Sequence, residues 1–502
     1  MKGIMNTRKN KIDKPLCNCS IFGAFNDPHA SATAYLGLHA LQHRGQEAAG
    51  IVSVGWDEEK KKHQFHIKKD FGLVTEVFRD ETVFVNLLVG NSAIGHNRYS
   101  TKGSSRRTQN VQPFFVHYHK GNIALAHNGN LTNTRTLRDR LEKEGTIFQT
   151  TTDSEIILHL IAKSKKDELI AQIIDSLNQV KGAYSLVMLT DGKLLGIRDP
   201  HGVRPLAIGK LEDSYYIASE TCALDIIGAE YIRDVEPGEI VVIDENTVKT
   251  GEIQSFRLEE KVDKYHHCIF EYIYFSRPDS FIFGESVDKV RRKLGKSLAE
   301  EKPVYNDEGD KVMVMSVPDS SNTAAIGYAD RSKKMNINTK LEIGLIRNHY
   351  VGRTFIQPEK NGRETAVRRK FNIVRGVIKD RKVVVIDDSI VRGTTSKKLL
   401  QLIKEAGPKE IHFRVSSPPI ISPCYYGMDF PSKEELIAVK CGNNVEKIRE
   451  YLGVDSLEYL SVEKLLDSVP KGEKTGYCTA CFTGKYPIPF DTYDNKEETD
   501  NA

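Results

Sequence analysis

Residues 382–396 read KVVVIDDSIVRGTTS, and this stretch decides the fold of the second half of the chain. The β-branched run from Val383 to Ile386 predicts a strand buried on both faces of a parallel sheet. A helical pattern follows from Lys397 to Ala406. Because loop amides and free helical N–H groups converge between such a strand and such a helix, the stretch predicts an anion site. The adjacent carboxylates Asp387 and Asp388 indicate that a cation or sugar hydroxyls are held there too.

The stretch has the spacing of neither a Walker loop nor a dinucleotide-binding turn. It resembles the ribose-5-phosphate-binding motif of type I phosphoribosyltransferases. The resemblance implies that Asp387 and Asp388 contact the ribose hydroxyls and that the following loop wraps the 5-phosphate. That loop supplies the further phosphoribosylpyrophosphate contacts Ser389, Arg392, Gly393, Thr394 and Thr395.

Alternating strands and helices are predicted around this stretch, with strands at 311–317, 341–346, 382–386 and 410–416. This is the doubly wound α/β pattern, in which ligands bind at the carboxyl ends of the strands. The resemblance implies one Mg²⁺ per subunit at Ser320, Asp387 and Asp388. It also implies a mobile loop at 347–356 that closes over pyrophosphate, with contacts from Arg347, Tyr350 and Arg353.

Length and composition exclude several classes of protein. A chain of 502 residues predicts two or more domains, and no stretch approaches the ~18 apolar residues of a membrane span. The net charge is +4, and residues 1–18 alone carry five Lys or Arg against one Asp, which leaves the remainder neutral and gives no basic face for nucleic acid. Residues 1–18 also lack an apolar secretory core, so the eight cysteines are expected in a reducing cytoplasm.

The first half alternates short apolar strands with helices, expected near 31–46, 134–144 and 153–163, and this predicts an α+β sandwich. Polar stretches at 95–101, 126–131 and 150–155 follow these elements. Together with Cys19 they resemble the glutaminase domain of class II amidotransferases, which has an N-terminal-nucleophile fold.

The nucleophile of such a glutaminase has a reason to be a chain terminus. A free α-amine has a pKa of ~7.7–8.0 and can act as the base for its own thiol, whereas an amide nitrogen cannot. Residues 1–18 are therefore expected to be a propeptide, cleaved before Cys19. Cys17 is the alternative nucleophile, although it would leave with the propeptide.

The resemblance assigns roles to further residues. Cys19 attacks the glutamine amide, while the Asn128 side chain and the Gly129 N–H form the oxyanion hole. Glutamine is bound by Arg98 at its α-carboxylate and Asp153 at its α-ammonium group, with His96 alongside. The chain departs from the family pattern at Ser20, where a glycine is usual, and at His349, where Arg or Lys is usual.

Cys478 and Cys481 form a C-x-x-C motif, and Cys268 and Cys424 follow irregular stretches. Four thiolates suit either zinc or an iron–sulfur cluster, and the spacing does not choose between them. The family resemblance, which includes the Phe-Thr-Gly-Lys-Tyr-Pro sequence after Cys481, implies one [4Fe–4S] cluster per subunit.

Over residues 19–490 the chain resembles the iron–sulfur-containing, Bacillus-type branch of the amidophosphoribosyltransferases. The expected parts are a propeptide (1–18), a glutaminase domain (19–255), a phosphoribosyltransferase domain (256–490) and a tail (491–502). The resemblance implies that ammonia from glutamine converts phosphoribosylpyrophosphate to 5-phosphoribosylamine, the first committed step of purine synthesis. It also implies a homotetramer inhibited by purine nucleotides. A phosphoribosylpyrophosphate-binding repressor would lack the glutaminase half, and glucosamine-6-phosphate synthase would lack the stretch around Asp387.

Overall fold

The computed structural model describes residues 19–98, 107–306, 309–348 and 370–491. Its first half is rich in strands. In chain order these are β1 Ser20–Phe25, β2 Ala48–Asp57, β3 Lys62–Phe71, β4 Ser92–Arg98, β5 Phe114–Tyr118, β6 Gly121–Leu131, β7 Gly182–Thr190, β8 Lys193–Arg198, β9 Ala207–Leu211, β10 Ser214–Ala218, β11 Glu230–Asp234, β12 Glu239–Ile243 and β13 Gln254–Arg257.

These strands form two antiparallel sheets packed face to face. One has the order β11-β9-β10-β1-β4-β2-β3 and the other β13-β12-β8-β7-β6-β5. Side chains alternate between the faces: Ile21 of β1 and Val187 of β7 fill the space between the sheets, whereas Phe22 and Leu186 face outward. Both strands are buried throughout because helices cover the outer faces.

The first-half helices are α1 Ala30–Ala40, α2 Val74–Val77, α3 Val83–Asn86, α4 Thr134–Lys143, α5 Ser154–Lys163, α6 Leu169–Leu177, α7 Cys222–Asp225 and α8 Glu245–Thr250. Helices α1 and α7 pack on the first sheet, and α4 to α6 on the second. The sequence-based helix at 31–46 is too long, since α1 ends at Ala40. The chain turns at residues 41–44 and then passes close to β4 at Gly45, where a Cβ would lie 2.8 Å from the Asn97 backbone.

The second half contains a different set of elements. Its strands are β14 His267–Cys268, β15 Phe281–Ile282, β16 Glu285–Ser286, β17 Val312–Ser316, β18 Thr339–Leu341, β19 Leu345–Arg347, β20 Phe371–Ile373, β21 Lys382–Asp387, β22 Glu410–Val415, β23 Ser456–Tyr459 and β24 Tyr477–Cys478. Its helices are α9 Val287–Glu301, α10 Asn322–Lys334, α11 Arg375–Ile378, α12 Thr394–Glu405, α13 Ile437–Lys440, α14 Val445–Leu452, α15 Val462–Asp467 and α16 Ala480–Thr483.

A five-stranded parallel sheet with the order β18-β17-β21-β22-β23 forms the centre of this half, and β21 is its middle strand. The single strand expected at 341–346 is wrong. The chain pairs with β17 at 339–341, turns, and then pairs antiparallel with β20 at 345–347. Gly344 lies in that turn, where a side chain would contact Met315 at 2.6 Å.

The two halves meet along a buried segment that begins with β14 and continues as a short π-helix, Glu271–Phe275. Strand β14 pairs in parallel with β24, which places Cys268 opposite Cys478. Over the described residues, none of the helices is long and apolar enough to cross a membrane. The α+β sandwich followed by an α/β domain, predicted from sequence, is confirmed.

Candidate active site

Cys19 immediately precedes β1, near the middle of the first sheet. The antiparallel register of β1 with β4 pairs Ser20 with Asn97. Continuing it by one residue places Arg98 opposite Cys19. The two residues are therefore brought to the same end of the sheet. Ser20 is fully buried and its hydroxyl donates to the carbonyl of Leu41 at 3.5 Å.

Asn128 and Gly129 lie in β6, which packs against β1 and β4 across the sandwich. The Asn128 side chain is fully buried, and neither its Nδ2 nor its Oδ1 has a hydrogen-bond partner among the described residues. Gly129 accepts no substitution without movement, since a Cβ there would lie 2.0 Å from the carbonyl oxygen of Ala183. An unpaired, buried donor beside a backbone that requires glycine is what a developing oxyanion needs.

His96 supports β6 from the neighbouring sheet. Its Nε2 lies 3.1 Å from the carbonyl oxygen of His127, which precedes Asn128. Burial, with a smaller effect of the nearby Arg98, lowers the pKa of His96 to about 3. Burial also lowers the pKa of His127, although Asp153 opposes the shift. Both imidazoles are therefore neutral at neutral pH, and the contact made by His96 fixes the backbone next to Asn128.

Asp153 precedes α5 and joins this group. Its Oδ2 accepts the Leu131 N–H at 2.9 Å, and its Oδ1 accepts the Ser154 hydroxyl at 3.2 Å. Arg98 is half-buried, and its Nη1 has no partner among the described residues. A guanidinium and a carboxylate are thus available for the two ends of an amino acid.

Gln112 was not predicted from sequence, and Ser154 was noted only as part of the polar stretch 150–155. Gln112 accepts the His127 N–H at 2.7 Å and donates to Ser154, and Ser154 Oγ lies 2.9 Å from the His127 ring. These contacts position β6, but nothing in the local sequence shows that Gln112 or Ser154 would make them. Their buried hydrogen bonds emerge only once the fold is known.

A buried network of four charged side chains was also missed. Arg44 contacts the carboxylates of Glu220 and Glu271, and Arg204 contacts Glu271 at 3.0 Å. All four side chains are at most 1% exposed. The available sequence signal was Arg44 itself, within the polar LQHRGQE stretch after α1.

Residues of the second half contact β6, the strand that carries Asn128 and Gly129. Asn130 Nδ2 donates to the carbonyl of Tyr425 at 3.0 Å. A Cβ at Gly427 would lie 2.9 Å from the carbonyl carbon of Gly129, so two glycine backbones face each other across the boundary. The candidate glutamine site is therefore covered in part by residues from the second half.

The acidic pair lies at the carboxyl end of β21, as predicted. Asp387 and Asp388 are at most 2% exposed. The Ser320 hydroxyl donates to Asp388, and the Ser321 hydroxyl donates to Asp387 at 3.1 Å. Ser389 Oγ donates to Asp388 Oδ2 at 2.7 Å. The predicted oxygen donors of Ser320, Asp387 and Asp388 therefore converge, although Ser321 was missed.

The phosphate loop runs from Ser389 to the start of α12. Gly393 has φ +75° and caps the helix, which leaves its first N–H groups facing the loop. Arg392 pairs with Glu435 at 3.0 Å, while Thr394 and Thr395 form the first residues of α12. The strand, loop and helix follow one another as the sequence predicted, and the binding of an anion there stays a prediction.

Only part of the predicted pyrophosphate loop can be placed. Arg347 ends β19, is exposed and pairs with Asp319. Tyr350 and Arg353, together with His349, lie outside the described residues.

Cys268, Cys424, Cys478 and Cys481 line one largely enclosed cavity with Phe270, Tyr426, Met428, Phe430 and other apolar side chains. Burial raises the pKa of Cys268 to about 12 and also raises those of Cys478 and Cys481. Arg204 lies close enough that Cys268 and Cys424 raise its own pKa, against burial. In the part of the chain that is described, no group of three or more His, Cys, Asp or Glu side chains is placed so that it could hold a metal ion.

The chain is similar to known proteins over nearly its whole length. A family model described as a glutamine amidotransferase domain matches residues 96–225. The amidophosphoribosyltransferase of Archaeoglobus fulgidus is 48% identical over 94% of this chain and 98% of its own length. That of Bacillus subtilis is 46% identical over 93% and 94%. Chloroplastic amidophosphoribosyltransferase 1 of Arabidopsis thaliana is 48% identical over 95% and 80%.

Solved structures agree with these relatives. The glutamine phosphoribosylpyrophosphate amidotransferase from B. subtilis, complexed with ADP and GMP, has a TM-score of 0.84 and 45% identity over 95% of this chain and 98% of its own. A structure described as the allosteric regulatory enzyme of purine biosynthesis has a TM-score of 0.86 and 44% identity over 96% and 99%.

Proposed function

The chain belongs to the amidophosphoribosyltransferase family. We propose that it has two separate sites, one for each half-reaction: Cys19 lies in the first and the Asp387–Asp388 pair in the second. It is a glutamine-dependent enzyme of the first committed step of purine synthesis. Ammonia released from glutamine displaces pyrophosphate from phosphoribosylpyrophosphate and gives 5-phosphoribosylamine.

At the first site, the Cys19 thiol attacks the side-chain amide carbon of glutamine. The free α-amine of Cys19 takes the thiol proton and passes it to the leaving nitrogen, so that the C–N bond breaks and ammonia departs. Water then hydrolyses the thioester to glutamate. Arg98 and Asp153 bind the α-carboxylate and α-ammonium groups, and His96 holds the strand that carries the oxyanion hole.

The observation that carries this assignment is the unpaired, fully buried amide of Asn128 beside Gly129. Leaving such a group without a partner costs the fold ~1–3 kcal/mol. A negative oxygen that forms during attack by Cys19 would accept hydrogen bonds from the Asn128 amide and the Gly129 N–H. The stabilisation is then available in the transition state.

At the second site, the converging oxygens of Ser320, Asp387 and Asp388 suit Mg²⁺, which prefers carboxylate and hydroxyl oxygen. Bound Mg²⁺ would offset the charge of pyrophosphate. The protein's own part is to bind: the acidic pair orients the ribose hydroxyls, and the loop from Ser389 to Thr395 donates N–H and O–H groups to the 5-phosphate. Ammonia then attacks C1, and the C1–O bond breaks with its electron pair leaving on pyrophosphate.

The four-cysteine cavity suits a [4Fe–4S] cluster, one per subunit. The register of Cys268 with Cys478 and the C-x-x-C at Cys478 and Cys481 bring three of these cysteines together, and Cys424 lines the same enclosed space. A cluster separates its cysteine ligands more widely than a single ion does. The cluster would supply a structural cross-link, since it would tie the segment that joins the halves to the C-terminal segment.

Maturation, assembly and location belong to the same proposal. Residues 1–18 are removed, residues 19–255 and 256–490 form the two functional parts, and 491–502 form a tail. The support for inhibition by purine nucleotides is the B. subtilis structure with ADP and GMP. Family membership supports a cytoplasmic homotetramer, although the Arabidopsis relative is chloroplastic.

The direct test measures glutamate, pyrophosphate and phosphoribosylamine from glutamine, phosphoribosylpyrophosphate and Mg²⁺. Cys19→Ala should abolish the glutamine-dependent rate and keep the rate with ammonium salts. Asp387→Ala should lose synthesis from either nitrogen source. A Cys19→Ala enzyme that still uses glutamine, or active protein that retains Met1, would refute the assignment of Cys19 as an N-terminal nucleophile.

A further inference from the structure

The buried network of Arg44, Arg204, Glu220 and Glu271 joins the proposed nucleophile to the second half of the chain. Arg44 Nε donates to the backbone carbonyl of Cys19 at 3.5 Å. The two terminal nitrogens of the same guanidinium donate hydrogen bonds to the Glu271 carboxylate: Nη1 to Oε2 at 2.9 Å and Nη2 to Oε1 at 2.7 Å. Glu271 belongs to the π-helix after β14 and is 227 residues from Arg44 in sequence.

The position of Glu271 is set by its own half. Ser276 Oγ donates to Glu271 Oε2 at 2.8 Å. Arg291 of α9 donates to the carbonyls of Tyr272 and Ser276 at 2.7 and 2.8 Å, which fixes both ends of the segment. Arg291 is 2% exposed, and among charged groups Asp388 of the second site acts on it most strongly.

The network is neutral as a whole, with two guanidiniums against two carboxylates. Burial opposes the charged form of Glu271, but Arg44 and Arg204 outweigh it and hold its pKa below the usual range. Burial likewise opposes the charge of Arg44, yet Glu271 and Glu220 raise its pKa. All the charges are therefore present together at neutral pH. Glu220, at the far side of Arg44, acts on Glu271 in the opposite sense and raises its pKa, and the His43 imidazole lies 2.8 Å from Glu220.

We propose that Glu271 is a positioning residue for Cys19: through Arg44 it orients the nucleophile's backbone and sets the charge felt by the α-amine. The proposal rests on Cys19 being the nucleophile. Its consequence is that the glutaminase site is incomplete without a side chain from the second half.

The Glu271→Gln substitution keeps the shape of the side chain and most of its hydrogen bonds, but it removes one negative charge from the network. Arg44 then has less charge compensation, so the protonated α-amine of Cys19 is less stable and its pKa falls. The acid limb of the glutaminase pH profile should move to lower pH by about 1 unit. Loss of orientation should lower kcat about tenfold and leave KM for glutamine within about twofold, since Arg98 and Asp153 are untouched.

The matched control is Glu239→Gln. Glu239 is also buried and pairs with a guanidinium through two hydrogen bonds, from Arg233 at 2.8 and 2.9 Å, but it has no contact with Cys19 or Arg44 among its described partners. Its variant should keep the wild-type pH profile and kcat. Synthesis from ammonium salts should be unchanged in both variants and reports intact folding. If Glu271→Gln does not fold, Ser276→Ala, which removes only the 2.8 Å hydrogen bond that orients Glu271, should lower kcat and leave KM for glutamine unchanged.

The outcomes separate the two hypotheses. A folded Glu271→Gln enzyme, or Ser276→Ala in its place, that matches Glu239→Gln in pH profile and kcat overturns the positioning role while leaving Cys19 in place. Glutaminase activity that survives Cys19→Ala overturns the proposed nucleophile instead. A lower acid limb with reduced kcat and unchanged KM supports the inference.

Discussion

Replacing Asn128 by leucine should make the protein more stable and less active. The amide is fully buried, and its two polar atoms have no partner among the described residues. Leucine has a similar volume and removes those atoms, so the free energy of unfolding should rise by about 1 to 3 kcal/mol. Loss of one oxyanion donor should at the same time cost ~2.7–4 kcal/mol in the transition state, or 10²–10³ in glutaminase kcat.

The assay pairs urea unfolding with initial rates on glutamine and on ammonium salts. Asn110→Leu is the control for stability, because Asn110 is 2% exposed but donates to Thr151 Oγ1 at 2.9 Å and accepts the Thr151 N–H at 3.2 Å. That variant should be destabilised. The reasoning is refuted if Asn128→Leu is destabilised to the same extent, or if it hydrolyses glutamine at the wild-type rate.

The remaining predictions concern the strand, the cavity and acid stability. Gly129→Ala would bring a Cβ to 2.0 Å from the carbonyl oxygen of Ala183, so strands β6 and β7 must part by about 1 Å. The glutamine-dependent kcat should then fall by ~10², while ammonium-dependent synthesis is kept. An unchanged glutamine-dependent rate would remove Gly129 from the oxyanion hole. Cys424→Ser should yield iron-poor, insoluble protein, whereas anaerobic wild type should be brown with about four irons per chain; stoichiometric zinc without iron would reverse the cluster assignment. Burial lowers the pKa of His96 from 6.5 to about 3, so the unfolded chain binds more protons between these values and stability should fall as pH drops below ~6.5. His96→Gln should flatten that part of the unfolding free energy profile; an unaltered slope would show that His96 is not responsible.

The sequence predicted the elements whose pattern is local. The run before Asp387 became the middle strand of a parallel sheet because four consecutive β-branched residues fit a strand covered on both faces. The strand expected at 341–346 failed because Leu341 and Leu345 pack in different sheets, and hydrophobicity does not record which partner a strand has. Helix α1 was overestimated because the residue pattern did not show that the chain turns after Ala40 and then passes against β4 at Gly45.

In the candidate site too, some residues could be predicted from local sequence and others depend on contacts between distant parts of the chain. Motifs brought Cys19 and Asn128 to notice, since Cys19 directly precedes an apolar strand and Asn128 lies within one. The contact of Arg44 with Glu271 spans 227 residues, and no periodicity links two positions so far apart. Buried charge is the least predictable part of a fold from sequence, because a carboxylate is tolerated there only once its partners are in place.

The facing glycines at the boundary also limit how this enzyme could be recombined. Gly427 leaves no room for a Cβ against the Gly129 carbonyl, so the surface that the glutaminase offers to its neighbour is bare backbone. A gene fusion that joined this glutaminase to a different acceptor-binding module would need a residue without a side chain at the same point of contact. Exchange of modules between such enzymes is therefore constrained by one missing Cβ atom, on the side of the contact that is remote from the glutamine.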